Sequence, residues 1–311
     1  MEAKDHPALW KTLLAFAIIY FVWGSTFLAI RIGVHEVPPL MLASMRFLAA
    51  GLVLYGWVSA RGGRQPNLRQ WLSATLLALL IFVFDYGLLF WAEQRVPSGI
   101  AAVMMATIPV FMALSEILIL GTQRLTARLV LASVVGMGGV VVLVSHSLNL
   151  GGAPIDGRGA AALVFAAMTW GIASALNRKL PLPESKGMSS GIQMLAGGVL
   201  LAVGSAAFGE FRAFRVEAVS GKAWLSLIYL IVAGSIIGFT AYVWLLHHQS
   251  PTKVGTYAYV NPVVAVVVGY FLGGETLGLR TVVGTLFVLI SVVIITTKRA
   301  PKPDAVEAQK R

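Results

Sequence analysis

One carboxylate lies in the middle of a long apolar stretch, where few ionisable groups are tolerated. Asp85 stands within the run LLIFVFDYGLLFWAEQ. If this run crosses a membrane, a charged carboxylate there costs on the order of 3 kcal/mol or more unless it is paired, hydrated or protonated. Such a group can bind an ammonium ion or carry a proton. It can equally act as a hydrogen-bonded clamp between helices, or lie nearer the membrane surface than its position suggests.

Aromatic side chains also recur inside the apolar stretches. They can stack on apolar or aromatic ligands and hold an ammonium group through cation–π attraction, although for each of them helix packing is the alternative. The amide of Asn261 could meet the polar end of a ligand. With Asp85, these residues form the predicted substrate-binding set: Trp23, Asp85, Tyr86, Trp91, Trp170, Tyr242, Tyr257 and Asn261.

Two prolines fall deep inside apolar segments. Pro109 and Pro262 each remove a backbone hydrogen bond and are expected to kink a helix near its middle. We predict that they act as two equivalent hinges; packing adaptation is the alternative, because proline is common in membrane helices. Arg46, also inside an apolar segment, is expected to pair with an acid or to extend toward the surface. Glu93 and Glu116 are expected to reach the headgroups.

Metal and nucleophilic chemistry find little support. The chain has no cysteine, and its five histidines lie near segment ends without metal-ligand spacing. Gly187-Met-Ser-Ser-Gly191 matches G-x-S-x-G formally, but it lacks the strand–turn–helix context that this motif requires. We therefore predict no catalytic residue, no metal and no cofactor. A membrane-embedded enzyme remains the alternative from another class; it would need polar catalytic groups clustered at one interface.

The elements that position these residues follow from composition. Of 311 residues, 58% are hydrophobic and 12% charged, whereas about a quarter of a soluble protein is charged. Apolar runs approach the ~20 residues that a membrane-spanning helix needs. We predict an all-α polytopic membrane protein embedded in a lipid bilayer, with ten transmembrane helices at about 12–33, 40–60, 71–92, 97–120, 128–146, 158–178, 187–208, 223–247, 251–273 and 279–297.

The basic residues set the predicted orientation. Most of the 24 Lys and Arg residues fall on the side of the two termini, which by the positive-inside rule makes both termini cytoplasmic. A nucleic-acid partner would require basic groups gathered on one face, so we expect none. Residues 299–311 are polar and are predicted to be a disordered cytoplasmic tail. The opposite side carries only Arg31, Arg95, Arg158, Arg212, Arg215, Lys222 and Arg280.

The chain repeats itself. Trp23-Gly24 lines up with Trp170-Gly171, Arg31 with Arg178, and Pro109-Val110 with Pro262-Val263. The repeats divide the chain into a first five-helix half, 1–150, and a second, 151–298. Because each half has an odd number of spans, the second must be inverted relative to the first, as in many secondary transporters. Fused halves also remove the need for a dimer, so a monomer suffices.

Several motifs carry a family resemblance over nearly the whole chain. They are WGSTF in the first span, residues 85–102, Ile108-Pro-Val-Phe-Met-Ala-Leu114, Tyr259-Val-Asn-Pro-Val263 and Gly273-Gly-Glu-Thr-Leu277. The chain resembles the EamA-type transporters of the drug/metabolite transporter superfamily, and within them most resembles the YddG-type aromatic amino acid exporters. The resemblance implies a bacterial inner-membrane carrier of small molecules. One departure is that Gly121-Thr122-Gln123 replaces the Gly-Glu pair found at Gly274-Glu275, so Glu275 is expected to lack a counterpart.

Together these features predict an alternating-access secondary transporter, not an enzyme. Its substrate would be a small amphipathic metabolite, with aromatic or other apolar amino acids as the leading class. A multidrug or organic-cation exporter, with Asp85 as the cation partner, is the alternative within transport. Proton coupling and facilitated transport both remain compatible with the sequence.

Overall fold

The computed structural model describes residues 8–121, 125–144, 155–248, 254 and 257–296. Within these ranges the regular structure is helical, without a strand. The long helices of the first half are α1 (Leu9–Val34), α2 (Pro39–Ala60), α3 (Leu68–Ala92), α4 (Ser98–Leu120) and α5 (Ala127–Val144).

The second half follows with α6 (Gly157–Leu176) and α7 (Lys186–Ala207). Next come α8, in three consecutive parts (Gly221–Tyr229, Leu230–Ile237 and Gly238–His248), then α9 (Tyr257–Gly273) and α10 (Leu279–Thr296). Between α7 and α8 lie a short helix, Glu210–Ala213, and a 3₁₀ turn, Val216–Ala218.

Seven of these helices have the length and apolar composition to cross a bilayer. They are α1–α4 and α6–α8, while α5, α9 and α10 contribute shorter apolar helices within the described residues. The chain is therefore a multi-pass helical membrane protein. The predicted tail at 299–311 lies outside the described residues, as do His6 and His146.

Helix boundaries follow local sequence signals. Pro39 occupies the first turn of α2, where its missing N–H is not needed. Asn67 and Gln70 form a reciprocal capping box at the start of α3. Gly121 and Gly274, which line up in the repeat, both adopt φ of 65° at the ends of α4 and α9, a left-handed conformation that glycine accepts without strain.

Several helices depart from regular α geometry in their interiors. The segments Ile18–Val22 in α1, Leu79–Gly87 in α3 and Leu230–Ile237 in α8 are π-helical. Since α3 and α8 hold equivalent positions in the repeat, both halves carry a π-helical segment there. Such segments often mark functional positions in helices, and the one in α3 contains Asp85.

Equivalent helices of the two halves pack directly against each other. α2 lies along α7, and α5 along α10. Glycines permit the close approach: a Cβ at Gly191 would lie 2.9 Å from the Tyr55 nitrogen, and one at Gly284 would lie 3.0 Å from the Gly139 oxygen. Helices that approach this closely gain van der Waals contact that larger residues would prevent.

Candidate functional site

One aromatic cluster joins α1 to α8 and α9. The Trp23 ring centroid lies 5.3 Å from that of Tyr242 and 5.3 Å from that of Tyr257, and the two tyrosine rings are 6.0 Å apart. The Trp23 indole N–H also donates to the Gly234 carbonyl oxygen at 3.0 Å. This bond fixes the indole against the π-helical part of α8. Three residues of the predicted substrate set therefore lie together.

A second cluster joins α2, α3 and α6. Tyr86 contacts Phe47, Phe82 and Trp170, with ring centroids 4.8, 5.9 and 6.1 Å apart. Edge-to-face and offset arrangements of this kind add to the burial of the rings. Tyr86 and Trp170 were both in the predicted set, whereas Phe47 and Phe82 were not.

In each of the two clusters, a tryptophan of one half packs on a tyrosine of the other half. Trp23 of the first half packs on Tyr242 of the second, and Trp170 of the second half packs on Tyr86 of the first. The clusters adjoin through α8, because Trp23 bonds to Gly234 while Arg46, which lies over the Tyr86 ring, bonds to the neighbouring Ser235.

Arg46 lies between the clusters. Its side chain is 3% exposed, and its guanidinium stands 4.9 Å from the Phe47 ring and 5.3 Å from the Tyr86 ring. Nε donates to the Ser235 hydroxyl at 3.0 Å, while Nη1 is buried without a partner. Local sequence patterns do not place this arginine in the substrate set, because Tyr86 and Ser235, which surround it, come from α3 and α8.

Two carboxylates near this region are also incompletely satisfied. Asp85 is 1% exposed and its Oδ1 has no hydrogen-bond partner, and Glu93 is fully buried with neither carboxylate oxygen bonded, within the described residues. No ion pair forms between Glu93 and Arg46. Glu93 thus lies inside the protein instead of reaching the headgroups as expected.

The remaining predicted residues lie around this centre in different ways. With its amide nitrogen facing α1, Asn261 donates to the carbonyl oxygens of Ile19, Tyr20 and Tyr257 at 3.2 Å each, so its amide ties α9 to α1. Trp91 is separate from both clusters and stacks with the Arg95 guanidinium, 4.1 Å from its ring centroid.

The two predicted hinge prolines have different surroundings. Pro109 begins the Ile108–Ser115 segment of α4, directly after an interruption at Ala106 and Thr107. Pro262 instead lies inside a continuous α9. The chain therefore has one interrupted helix and one uninterrupted helix at equivalent positions.

At one end of α4, an arginine and a glutamate connect the halves. Arg31 Nε lies 3.5 Å from Glu275 Oε1, and its Nη1 donates to the carbonyl oxygens of Val96 and Glu93. Glu275 also accepts bonds from the Ser98 backbone and hydroxyl, at 2.7 and 2.6 Å, and from the Gly99 nitrogen at 3.1 Å. It therefore caps the start of α4.

At the other end of α4, roughly 30 Å along the helix, the equivalent arginine does the same. Arg178 Nη1 lies 2.9 Å from Glu116 Oε1, and Lys179 donates to the Ile119 carbonyl oxygen. The position that matches Glu275 in the repeat, Thr122, lies outside the described residues, so the expectation that Glu275 lacks a counterpart there stays a prediction. Arg178 pairs instead with Glu116, which lies earlier in α4. Position-by-position comparison of the halves could not find it.

No group of three or more metal-ligating side chains occurs among the residues described. What the fold provides is a multi-pass helical bundle with aromatic clusters and buried charges between its halves, and no catalytic constellation was identified in the sequence. These features are typical of membrane transport proteins.

The chain belongs to the EamA-like transporter family, whose model matches two successive stretches, residues 10–145 and 157–297. It is 39% identical to "Uncharacterized inner membrane transporter YedA" of Escherichia coli (strain K12), over 91% of this chain and 89% of that protein. It is 27% identical to "Protein PecM" of Dickeya dadantii (strain 3937), over 88% of each. A crystal structure of a protein matches with a TM-score of 0.58 at 20% identity, over 92% of this chain and 96% of its own; that likeness concerns the fold alone.

Proposed function

We propose that the chain is an alternating-access secondary transporter that exports small amphipathic metabolites, with aromatic or other apolar amino acids as its substrates. The observation that carries this proposal is the pair of adjoining aromatic clusters, one around Trp23 and one around Tyr86, each built across the two halves. Such a site suits a ligand with an apolar side chain and a charged end. The resemblance to YddG-type exporters favours the same substrate class.

The proposed architecture has ten spans in two inverted halves, 1–150 and 151–298, with both termini in the cytoplasm. Support comes from Arg31 and Arg178, which line up in sequence yet bond at opposite ends of α4. It also comes from the packing of α2 on α7 and of α5 on α10, because a twofold relation would bring equivalent helices together in this way. The Arg31 end then faces the periplasm of a bacterial inner membrane.

Transport would require each end to open in turn. At the Arg31 end, opening separates α1 from α9 and breaks the Arg31–Glu275 pair; at the Arg178 end it separates α4 from α6 and breaks the Glu116–Arg178 pair. Bending of α4 at the interruption before Pro109 would accommodate the second movement. In α9, Pro262 would give the helix a weakened position without an interruption, because proline removes one backbone hydrogen bond.

An organic-cation exporter is the second candidate, because Asp85 and Glu93 are buried carboxylates with unsatisfied oxygens. Against it stands Arg46, whose buried positive charge lies between the clusters and would repel a cation there.

Flux measurements separate the two candidates. The purified protein is reconstituted into liposomes, and uptake of labelled phenylalanine is compared with uptake of a labelled quaternary ammonium ion. We expect saturable phenylalanine flux that needs the intact protein and is absent from empty liposomes. Quaternary ammonium flux without any amino acid flux would overturn the substrate assignment and favour the cation exporter.

A further inference from the structure

The guanidinium of Arg46 is held on two sides and left unpaired on a third. Nε bonds to Ser235 of α8 at 3.0 Å, and the planar group faces the rings of Phe47 and Tyr86. Gly234 admits it, since a Cβ there would lie 3.3 Å from Nη2. Nη1 has no partner in the described part of the chain, at a residue that is only 3% exposed.

A buried guanidinium whose N–H group donates to nothing is energetically unfavourable. Burying a positive charge without an anion is strongly unfavourable, and the cost falls only when an anion and good hydrogen bonds are supplied. The buried Glu93 carboxyl group forms no ion pair with Arg46, since Nη1 and both carboxyl oxygens lack a hydrogen-bond partner in the described residues. Among the described residues, the Nη1 group of Arg46 therefore has no anion to which it can donate.

The surroundings define the anion that would fit. The Tyr86 ring beside Arg46 continues to Trp170, and the Trp23 indole is tied to Gly234, the residue next to the Arg46 partner Ser235. The Arg46 guanidinium therefore lies beside one aromatic cluster and next to the α8 segment that holds the Trp23 indole of the other. A carboxylate attached to an apolar or aromatic body matches this arrangement, because guanidinium and carboxylate geometries are complementary.

We propose that Arg46 binds the carboxylate of the transported molecule, with the two aromatic clusters holding its apolar part. This inference rests on the proposed transport function and deepens it by naming the chemical group that is recognised. It also explains why a cation-binding role for this centre is disfavoured. Arg46 is a substrate-binding residue that sequence reasoning did not place in the site.

Three related ligands test the proposal: phenylalanine, its deaminated analogue 3-phenylpropionate, and its decarboxylated analogue phenethylamine. Saturable binding of each is measured by radioligand binding to the full-length protein in lipid nanodiscs. The variants are Arg46→Gln and Arg46→Lys. Arg95→Gln is the matched control, since Arg95 also stacks on an aromatic ring but is exposed and lies away from the clusters. Thermal unfolding verifies that each variant is folded.

For the wild type we expect both carboxylates to bind and phenethylamine to bind at least tenfold more weakly. Arg46→Gln should weaken the two carboxylates by about tenfold to hundredfold, as loss of a charged hydrogen bond does, and should leave phenethylamine unchanged or improved. Arg46→Lys should recover part of the carboxylate binding. Arg95→Gln should behave as the wild type.

A purely structural role for Arg46 predicts a different pattern. In that case Arg46→Gln would lower the unfolding temperature and weaken all three ligands alike, and Arg46→Lys would not restore the preference for carboxylates. That result overturns the proposal, as does equal binding of phenethylamine and the carboxylates by the wild type. Absence of saturable carboxylate binding by the folded wild type does so too.

Failure of the proposed function gives a separate signature. If 3-phenylpropionate binds in an Arg46-dependent manner but no amino acid is transported in liposomes, the carboxylate site stands and the amino acid assignment falls. If amino acids are transported equally well by Arg46→Gln, the assignment stands and the carboxylate site falls.

Discussion

The helices that begin at one end of the bundle are capped by different groups from the helices that begin at the other end. At the Arg31 end, carboxylates meet the first turns of four helices: Glu210 bonds the Met41 nitrogen of α2, Glu275 caps α4, Asp156 caps α6, and Glu36 binds the Ser220 that caps α8. At the Arg178 end the described caps are neutral: Asn67 for α3, Thr126 for α5 and Ser185 for α7.

The arginine pairs differ in the same sense. Arg31 and Glu275 are 25% and 7% exposed at their side chains, whereas Arg178 and Glu116 are 59% and 15% exposed. Glu275 meets a helix N-terminus as well as an arginine; Glu116 meets the arginine in the last part of α4. The Arg31–Glu275 pair is therefore less exposed than the Glu116–Arg178 pair.

The difference in capping groups indicates that the Arg31 end should be harder to open than the Arg178 end. Negative charge at helix N-termini is favourable, so the acid-capped end gains stability from the same carboxylates that join its helices. The location of these acidic caps also agrees with the distribution of basic residues, which predicts that the opposite end, at Arg178, is cytoplasmic.

Removing Glu275 should cause the greatest loss. Glu275→Ala breaks the pair with Arg31 and leaves the buried Ser98 and Gly99 nitrogens without their acceptor. We expect a loss of about 3 kcal/mol in the free energy of unfolding, measured by denaturation in detergent micelles. Glu275→Gln keeps one acceptor oxygen and should lose less. An unchanged stability for Glu275→Ala would break the comparison.

Removing a neutral cap should have an intermediate effect. Asn67→Ala abolishes the capping box with Gln70 at the start of α3, which typically costs about 1 kcal/mol. The same denaturation experiment measures it. Because no charge is involved, the loss should be the same at 20 mM and 500 mM salt, whereas the Glu275→Ala loss should shrink at high salt. A salt-dependent loss for Asn67→Ala would contradict the assignment.

Breaking the exposed pair should matter little for stability. Glu116→Gln removes the ion pair with Arg178, which is 59% exposed, and exposed pairs are worth about 0–1 kcal/mol. We expect a loss below about 1 kcal/mol in the same assay. A loss as large as that of Glu275→Ala would show that the two ends are equally strong.

The smallest effect concerns pH at the acid-capped end. Hydrogen bonds from the Ser220 backbone and hydroxyl hold the pKa of Glu36 below its usual range. A lowered folded-state pKa means that this stabilisation is fully present above the ordinary carboxylate pKa of about 4.3 and is lost as the pH falls through the lower folded-state value. The melting temperatures of wild type and Glu36→Gln should therefore differ at pH 7 and converge below about pH 4; a constant difference would contradict this.

The positions of the helices could be predicted from the sequence more readily than the contacts between them. Apolar runs, first-turn prolines and terminal glycines such as Gly121 and Gly274 are local signals, so the spans and several of their boundaries follow from the chain itself. Trp23, Tyr242 and Tyr257 were grouped as one predicted site, and the structure places them in contact. Their positions deep inside apolar segments were enough to predict a shared site.

The buried charges could not be placed in the same way. Whether Arg46 faces lipid or Ser235 depends on how α2 is rotated against α8, and neither helix encodes that rotation alone. Likewise, Glu116, which pairs with Arg178, lies before the terminal glycine of α4, whereas Glu275, which pairs with Arg31, lies after the terminal glycine of α9. Matching the halves residue by residue therefore missed the pairing.

Reversible cross-linking tests most directly whether both ends must open during transport. The chain has no cysteine, so paired cysteines can be introduced cleanly: Leu28→Cys with Gly273→Cys at one end, where the two positions are in contact, and Glu116→Cys with Arg178→Cys at the other. A short, reducible thiol cross-linker is applied to protein in liposomes, with the single-cysteine variants as controls. We expect that linking either end stops phenylalanine flux and that reduction restores it. Undiminished flux through protein cross-linked at either end would contradict it.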